Sequence, residues 1–310
     1  MTSSAFKQIL KFSYRFILIL FLILVCDRGV GTILKIFYFR QESGVGYKTT
    51  YAIDSTVADV LIFGSSRANH GYVPEIFEDS LHYSFYNTGR DGNYILYNYA
   101  ILKAISGRYN PKLIIMDIRP DDIGYSATEY ERLSLLLPYY KTHPEIRNII
   151  DYKGPFEKIK VVSAIYPYNS LILQILIGNL NYNKERVSDN KGYVPILKVM
   201  EKEKIDTFQI SLLTVDENKI NALKDIISTS KQKNIDLVFV YSPARTFIKD
   251  NFYETILSDL CSENGTNYID MSNHPVFINN HLYFADKDHL NNDGAKVFST
   301  MLVNKILHTN

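Results

Sequence analysis

The chain has no tryptophan, only two cysteines and almost no net charge, and each scarcity excludes something. A formal charge of +1, from 34 basic residues scattered among 33 acidic ones, leaves no basic face, so no nucleic-acid partner is expected. Cys26 lies in an apolar run and Cys261 far from it, so an intramolecular disulfide is not expected and the redox compartment stays open. Histidines, cysteines and carboxylates nowhere gather at metal-ligand spacing, and neither a metal nor another cofactor is expected. Internal repeats and low-complexity tracts are also lacking. Apolar character is plentiful: 46% hydrophobic against 22% charged over 310 residues supports a full core in one large domain or two small ones. The 24 tyrosines suit a sugar-binding surface, but an A/T-rich codon bias produces the same excess.

The amino terminus carries the longest apolar run. Lys7, Lys11 and Arg15 precede "FILILFLILVC", eleven uninterrupted apolar residues from Phe16 to Cys26. Eleven match a signal-peptide core and fall short of the ~20 that a spanning helix needs. No small-x-small cleavage site follows, and Val25 before Cys26 is a poor lipoprotein site. A helix extended back through Phe12 and Tyr14, and onward past Asp27 and Arg28 to Phe39, is long enough. The expectation is an uncleaved signal anchor over residues 1–40, single-pass in a membrane, with the rest extracytoplasmic, in a bacterial periplasm or at the cell surface. Asp27 and Arg28 then need a partner membrane protein, mutual pairing, or a place at the outer end of a short span.

After a polar linker (41–58), residues 41–310 alternate strand and helix. Strands are expected at 59–63, 83–89, 112–118, 235–243 and 267–272. Helices are expected at 75–81, 94–106, 215–234, 252–265 and 293–307. Runs such as "KLIIMDI" are continuously apolar, as strands buried on both faces are. This order predicts an α/β protein, a three-layer αβα sandwich around a parallel, flavodoxin-like sheet of about five strands. Residues from about 125 to 212 break the rhythm and read as a helical insertion without a clear strand. Its "LILQILIGNL" is too short to cross a bilayer and fits either a cap over the sheet edge or a surface resting on a membrane.

In such a fold ligands bind at the carboxyl ends of the strands. Four stretches fall there: "FGSSR" with Ser66 and Arg67, "NTGRDG" with Asn87 and Gly92, "DIRPDD" with Asp117 and Arg119, and "DKDH" with Asp286 and His289. A serine hydroxyl becomes a nucleophile only when a base within ~3 Å takes its proton. Histidine suits that task near neutral pH, and a carboxylate on its far nitrogen fixes the tautomer. Asp286, three residues before His289, reaches back within one turn. The plainer readings are that Ser66 caps a helix, that His289 is a surface residue at a helix start, and that His70 and His82 are ordinary. Asp117, Asp121 and Asp122 are either turn formers or carboxylates touching the site.

These blocks resemble the SGNH or GDSL hydrolases over residues 59–122 and 235–307, the insertion excluded. "FGSSR" is similar to their first block, with Ser66 at the nucleophile position and Ser65 where many members carry aspartate. "NTGRDG" resembles the second, whose last glycine, here Gly92, lends an oxyanion N–H. "DKDH" matches the last, with Asp286 orienting and His289 as base. The third block departs: "RPDD" stands where Gly-x-Asn-Asp would supply an oxyanion asparagine. Membrane-anchored proteins of teichoic-acid D-alanylation and polysaccharide O-acetylation share that departure. The resemblance implies a serine esterase or O-acyltransferase acting on an acyl group, most readily acetyl, of a cell-envelope polysaccharide, with an integral-membrane acyltransferase as partner. Asn87, Arg67 and Arg119 are then expected as oxyanion or substrate contacts. The alternative is a non-catalytic assembly or binding subunit that kept the fold and lost a working oxyanion hole.

Overall fold

Five short runs form one parallel sheet in the order β2-β1-β3-β5-β7: β1 (Val60–Phe63), β2 (Phe85–Asn87), β3 (Leu113–Asp117), β5 (Asp236–Tyr241) and β7 (Asn267–Asp270). The computed structural model describes residues 3–180, 190–201, 206–208, 214–248 and 252–309. Val60 is in register with Phe85 on one side and Leu113 on the other, Leu113 with Asp236, and Val238 with Asn267.

Side chains alternate across the pleat, so each strand feeds two cores. Leu61, Phe63, Ile114, Met116, Leu237 and Phe239 join the core under α5 (Ile95–Ser106) and helix Glu217–Gln232. Val60, Ile62, Leu113, Ile115, Val238 and Val240 join the core under the final helix, Asn292–Thr309. With both faces covered, β1, β2 and β3 are buried throughout, whereas edge strand β7 is exposed at Asn267 and Asp270. Each fully buried Val, Leu, Ile or Phe contributes about 1.5–3 kcal/mol. The result is the expected α/β sandwich with an amino-terminal apolar helix.

The first helix, α1 (Ser3–Phe39), is 37 residues long and apolar enough to cross a membrane. Residues 6–26 of it are exposed, whereas its end enters the body, where Tyr38 is buried against Tyr139 and Tyr168. The stretch expected as a linker instead contains α2 (Gly44–Asp54), with Lys48, Ala52 and Ile53 buried. Only tertiary packing holds this helix, since "GVGYKTTYAID" has little apolar periodicity of its own. After β1 come α3 (Ser66–Gly71) and α4 (Pro74–Leu81), and α5 follows β2.

The insertion is a chain of short α and 3₁₀ turns from Ala127 to Asn179, with parts of its second half outside the described residues. One strand does occur within it: β4 (Asp206–Phe208) pairs in parallel with β6 (Thr246–Ile248). A three-residue pairing is too short to leave a periodic trace in the sequence.

Candidate active site

The sheet changes winding direction between β1 and β3, and the crevice at their carboxyl ends is where ligands bind in this topology. Gly64 ends β1 with φ +144°, and a β-carbon there would lie 2.7 Å from the Asp117 carbonyl and 2.8 Å from the Ala68 methyl. Only glycine fits that conformation and that gap. The turn sets Ser66 at the head of α3, partly open to solvent, with its N–H lacking an intrahelical partner.

The loop before the final helix brings His289 to meet it. His289 Nε2 lies 2.6 Å from Ser66 Oγ, and its Nδ1 lies 2.8 Å and 3.0 Å from the two Asp286 carboxylate oxygens. Asp286 also accepts the backbone N–H of Asp288 at 2.9 Å and of His289 at 3.0 Å. The turn is thereby locked around the carboxylate. Its hydrogen bond from the ring holds the imidazolium form, so His289 titrates above its ordinary 6.5 although burial pulls the other way. Burial pushes Asp286 up, but the ring and the two backbone donors outweigh it and leave the carboxyl below its ordinary range. A serine, an imidazole and an ionised carboxylate in series can move a proton from a hydroxyl to a base.

Gly92 is the third residue of the turn that the Asn93 N–H closes onto the Arg90 carbonyl at 3.0 Å. Its φ of +68° is what that turn position demands. Arg132, from the insertion, donates to the Gly92 carbonyl and so holds the peptide from behind.

Arg119 and Arg67 separate. Arg119 lies at the site's rim, one-third exposed, its Nε 2.6 Å from Asp121 and its Nη1 4.0 Å from Asp288, next to the base. Burial lowers its proton affinity, and the Asp122 and Asp121 carboxylates more than restore it. Arg67 points into the protein instead. It is buried, lies 3.3 Å from Asp117 and stacks 5.3 Å from the Tyr241 ring centre. Asp117, at the end of β3, also accepts the Tyr72 hydroxyl at 2.9 Å. Asn87 likewise serves the scaffold: fully buried, it donates to the Ala68 carbonyl at 2.7 Å and accepts the Gly89 N–H at 2.9 Å. Asn87 thus braces the loops around Ser66 through its own hydrogen bonds, whereas Arg67 is held inside the fold by Asp117 and the Tyr241 ring, with its Nη1 lacking a hydrogen-bond partner among the described residues.

A second set of residues adjoins His289 with no motif to announce it. The His70 ring stands edge-on to it, with centroids 6.0 Å apart. His70 Nδ1 is 2.6 Å from the Val194 carbonyl and Nε2 is 3.3 Å from Asp91. Asp91 also accepts Asn69 Nδ2 at 2.7 Å, and buried Lys48 donates to Asn69 Oδ1 at 2.6 Å. Burial raises the Asp91 carboxyl, yet the His70 contact and these donors bring it down to about 2. Residues 190–200 pass over this network, tied by the Val194 N–H to the Asn69 carbonyl at 3.0 Å and by the Met200 N–H to the Phe284 carbonyl at 2.8 Å.

Beyond that strap a cleft of about 560 Å³ opens along Lys198–Glu201 and Ala285–His289, within the usual size of a ligand site. A smaller cavity of about 180 Å³ lies at the opposite sheet edge, around Leu113 and Asp236, away from these groups. No family model matches the chain, and a comparison with curated proteins also gives no match.

Proposed function

We propose that the chain is a membrane-anchored serine esterase or O-acyltransferase of SGNH type. Its substrate is an ester-linked acyl group, most readily acetyl, on a cell-envelope polysaccharide. The observation that carries this reading is the Ser66–His289–Asp286 series, with contacts of 2.6 Å and 2.8 Å. His289 Nε2 takes the Ser66 proton as Oγ bonds to the acyl carbon. The tetrahedral oxyanion rests on the backbone N–H groups of Ser66 and Gly92, with the Arg119 guanidinium as a charged donor in the place of the family's asparagine. Collapse breaks the ester bond, and His289 returns the proton to the departing alcohol. Water or a sugar hydroxyl, deprotonated by the same ring, then attacks the acyl-serine and frees Ser66.

Extracytoplasmic placement of residues 41–310 belongs to the same proposal, as does an integral-membrane acyltransferase that would deliver acyl groups across the bilayer. The charge at Asp27 gives no support to that partner, because its carboxylate accepts the backbone N–H of Ala164 at 2.8 Å and of Ile165 at 3.3 Å within the same chain. The test is labelling of the full-length protein with a fluorophosphonate. Wild type should take up one label on Ser66, and Ser66→Ala should take up none. A wild type that never labels overturns the enzyme reading.

A second reading, a non-catalytic subunit of an envelope-modification system, draws on the acidic neighbours Asp121 and Asp288 of Arg119. They would oppose a developing oxyanion. Labelling at Ser66 without turnover of any acyl ester would favour this second reading.

A further inference from the structure

The apolar run Phe16–Cys26 covers about 16 Å at 1.5 Å per residue, about half of a ~30 Å hydrocarbon layer. Starting the span at Phe12 adds about 6 Å, and the remaining ~8 Å need about five residues beyond Cys26. With that start, above Lys7 and Lys11, the layer reaches the level of Gly31, and there α1 is no longer alone. A β-carbon on Gly31 would lie 2.4 Å from the Ala164 backbone. Beside it, Arg28 Nη1 donates to the Val162 carbonyl at 2.8 Å, and Asn179 Nδ2 donates to the Phe37 carbonyl at 2.9 Å. The first part of the insertion thus reaches α1 at the depth where the bilayer should still be present.

Its outward faces suit that depth. Phe156, Ile159 and Val162 are each more than 60% exposed. Leu173, Leu176 and Leu180, spaced to share one face of the short helix Ile172–Asn179 that packs along α1, are each more than half exposed. Val30, Ile33 and Ile36 continue an exposed apolar stripe on α1 itself. Exposed apolar surface of this extent is uncommon on a protein wholly surrounded by water. Lys158 and Lys160, paired with Asp151 at 3.6 Å and Glu157 at 2.8 Å, flank Ile159 and put a polar border beside these apolar residues, as a segment lying in the interface has.

We propose that Phe156, Ile159, Val162, Leu173, Leu176 and Leu180 are seated in the bilayer that α1 enters, so that the domain rides partly sunk in the membrane surface. Asp27 and Arg28 are then tolerated at that depth because residues 162–165 supply their hydrogen bonds. The proposal rests on α1 being a membrane span and not on the chemistry at Ser66.

The absence of native tryptophan makes a direct test available. Full-length single-tryptophan variants Ile159→Trp, Leu173→Trp, Val25→Trp and Leu307→Trp are placed in vesicles of phosphatidylcholine and phosphatidylglycerol with brominated acyl chains. Leu307 is exposed on the final helix, in the opposite layer of the sandwich. Quenching of positions 159 and 173 is expected within about twofold of position 25, with position 307 unquenched. Quenching at position 25 alone would overturn the proposal and leave the domain clear of the bilayer. Shielding of 159 and 173 from both brominated lipid and aqueous iodide would overturn it in favour of a protein covering that face. An unquenched position 25 would remove the span itself, and the proposal with it.

Discussion

Ser66 Oγ and His289 Nε2 stand 2.6 Å apart although 223 positions separate them in the chain. The contact joins the first turn after β1 to the loop before the last helix, so it exists only when the whole sheet is assembled. Because Asp286 holds the ring and lifts its titration above 6.5, the pH behaviour of the site has a defined sign. Protonated His289 is favoured by folding, so this stabilisation is full below 6.5 and is lost as pH rises through the raised value. In the proposed mechanism activity needs the neutral ring, so it should rise over that same window. Asp286→Asn should move the acid limb of kcat/KM to lower pH and reduce kcat by about 10⁴. A pH–rate profile on an aryl acetate checks both, and an unmoved limb would separate Asp286 from the titrating group.

Arg119 offers a graded test of the proposed oxyanion contact. Its guanidinium is held by Asp121 on its own loop and lies near Asp288 beside the base. Arg119→Gln should lower kcat by about 10²–10³ with KM little changed, as loss of an oxyanion donor does. Arg119→Lys should recover part of the loss. Steady-state kinetics of the two variants decide it, and an unchanged kcat would return the residue to loop structure.

Arg67 should report on stability. Asp117 is buried between Arg67 and Tyr72, and removing the cation leaves that carboxylate with the tyrosine as its remaining side-chain partner. Arg67→Met should cost about 3–5 kcal/mol, and adding Asp117→Asn should return much of it, because an amide is far less costly to bury than an unpaired charge. Thermal unfolding of the two variants, followed by circular dichroism in detergent, measures the difference.

The fold was legible because β1, β3 and most of β5 are apolar on both faces, and because Gly64, Pro111 and Gly265 punctuate the chain. Ser66 was legible because it directly follows a buried strand and a glycine, and Asp286 and His289 because their three-residue spacing just before the last helix suits a carboxylate reaching back to an imidazole. Other features depend on tertiary contact and leave little local trace. Lys48 is buried in a helix whose sequence reads as a linker, and Arg67 and Asn87 sit in motif positions while their polar groups face inward. The tyrosine excess serves the core in part: Tyr38, Tyr72, Tyr139 and Tyr253 are among the largest fully buried side chains, while Tyr83, Tyr125 and Tyr152 stand exposed.

His70 was indistinguishable in the sequence from any surface histidine, yet it links three parts of the site. It touches the Val194 carbonyl of the overlying strap, the Asp91 carboxylate beside Gly92, and the edge of the His289 ring. Those contacts place it as a positioning residue that keeps residues 190–200 over the cleft. His70→Phe preserves the ring's bulk and removes both polar contacts. Loss of one such hydrogen bond is worth about 1.4 kcal/mol, so kcat/KM on a bulky acylated glycan should fall about tenfold. Fluorophosphonate labelling of Ser66, which needs no strap, should proceed at the wild-type rate. Limited proteolysis adds a structural readout: cleavage near Val194 should become faster in the variant. Equal losses on glycan substrate and small probe would instead mean that His70 acts on the Ser66–His289 pair itself.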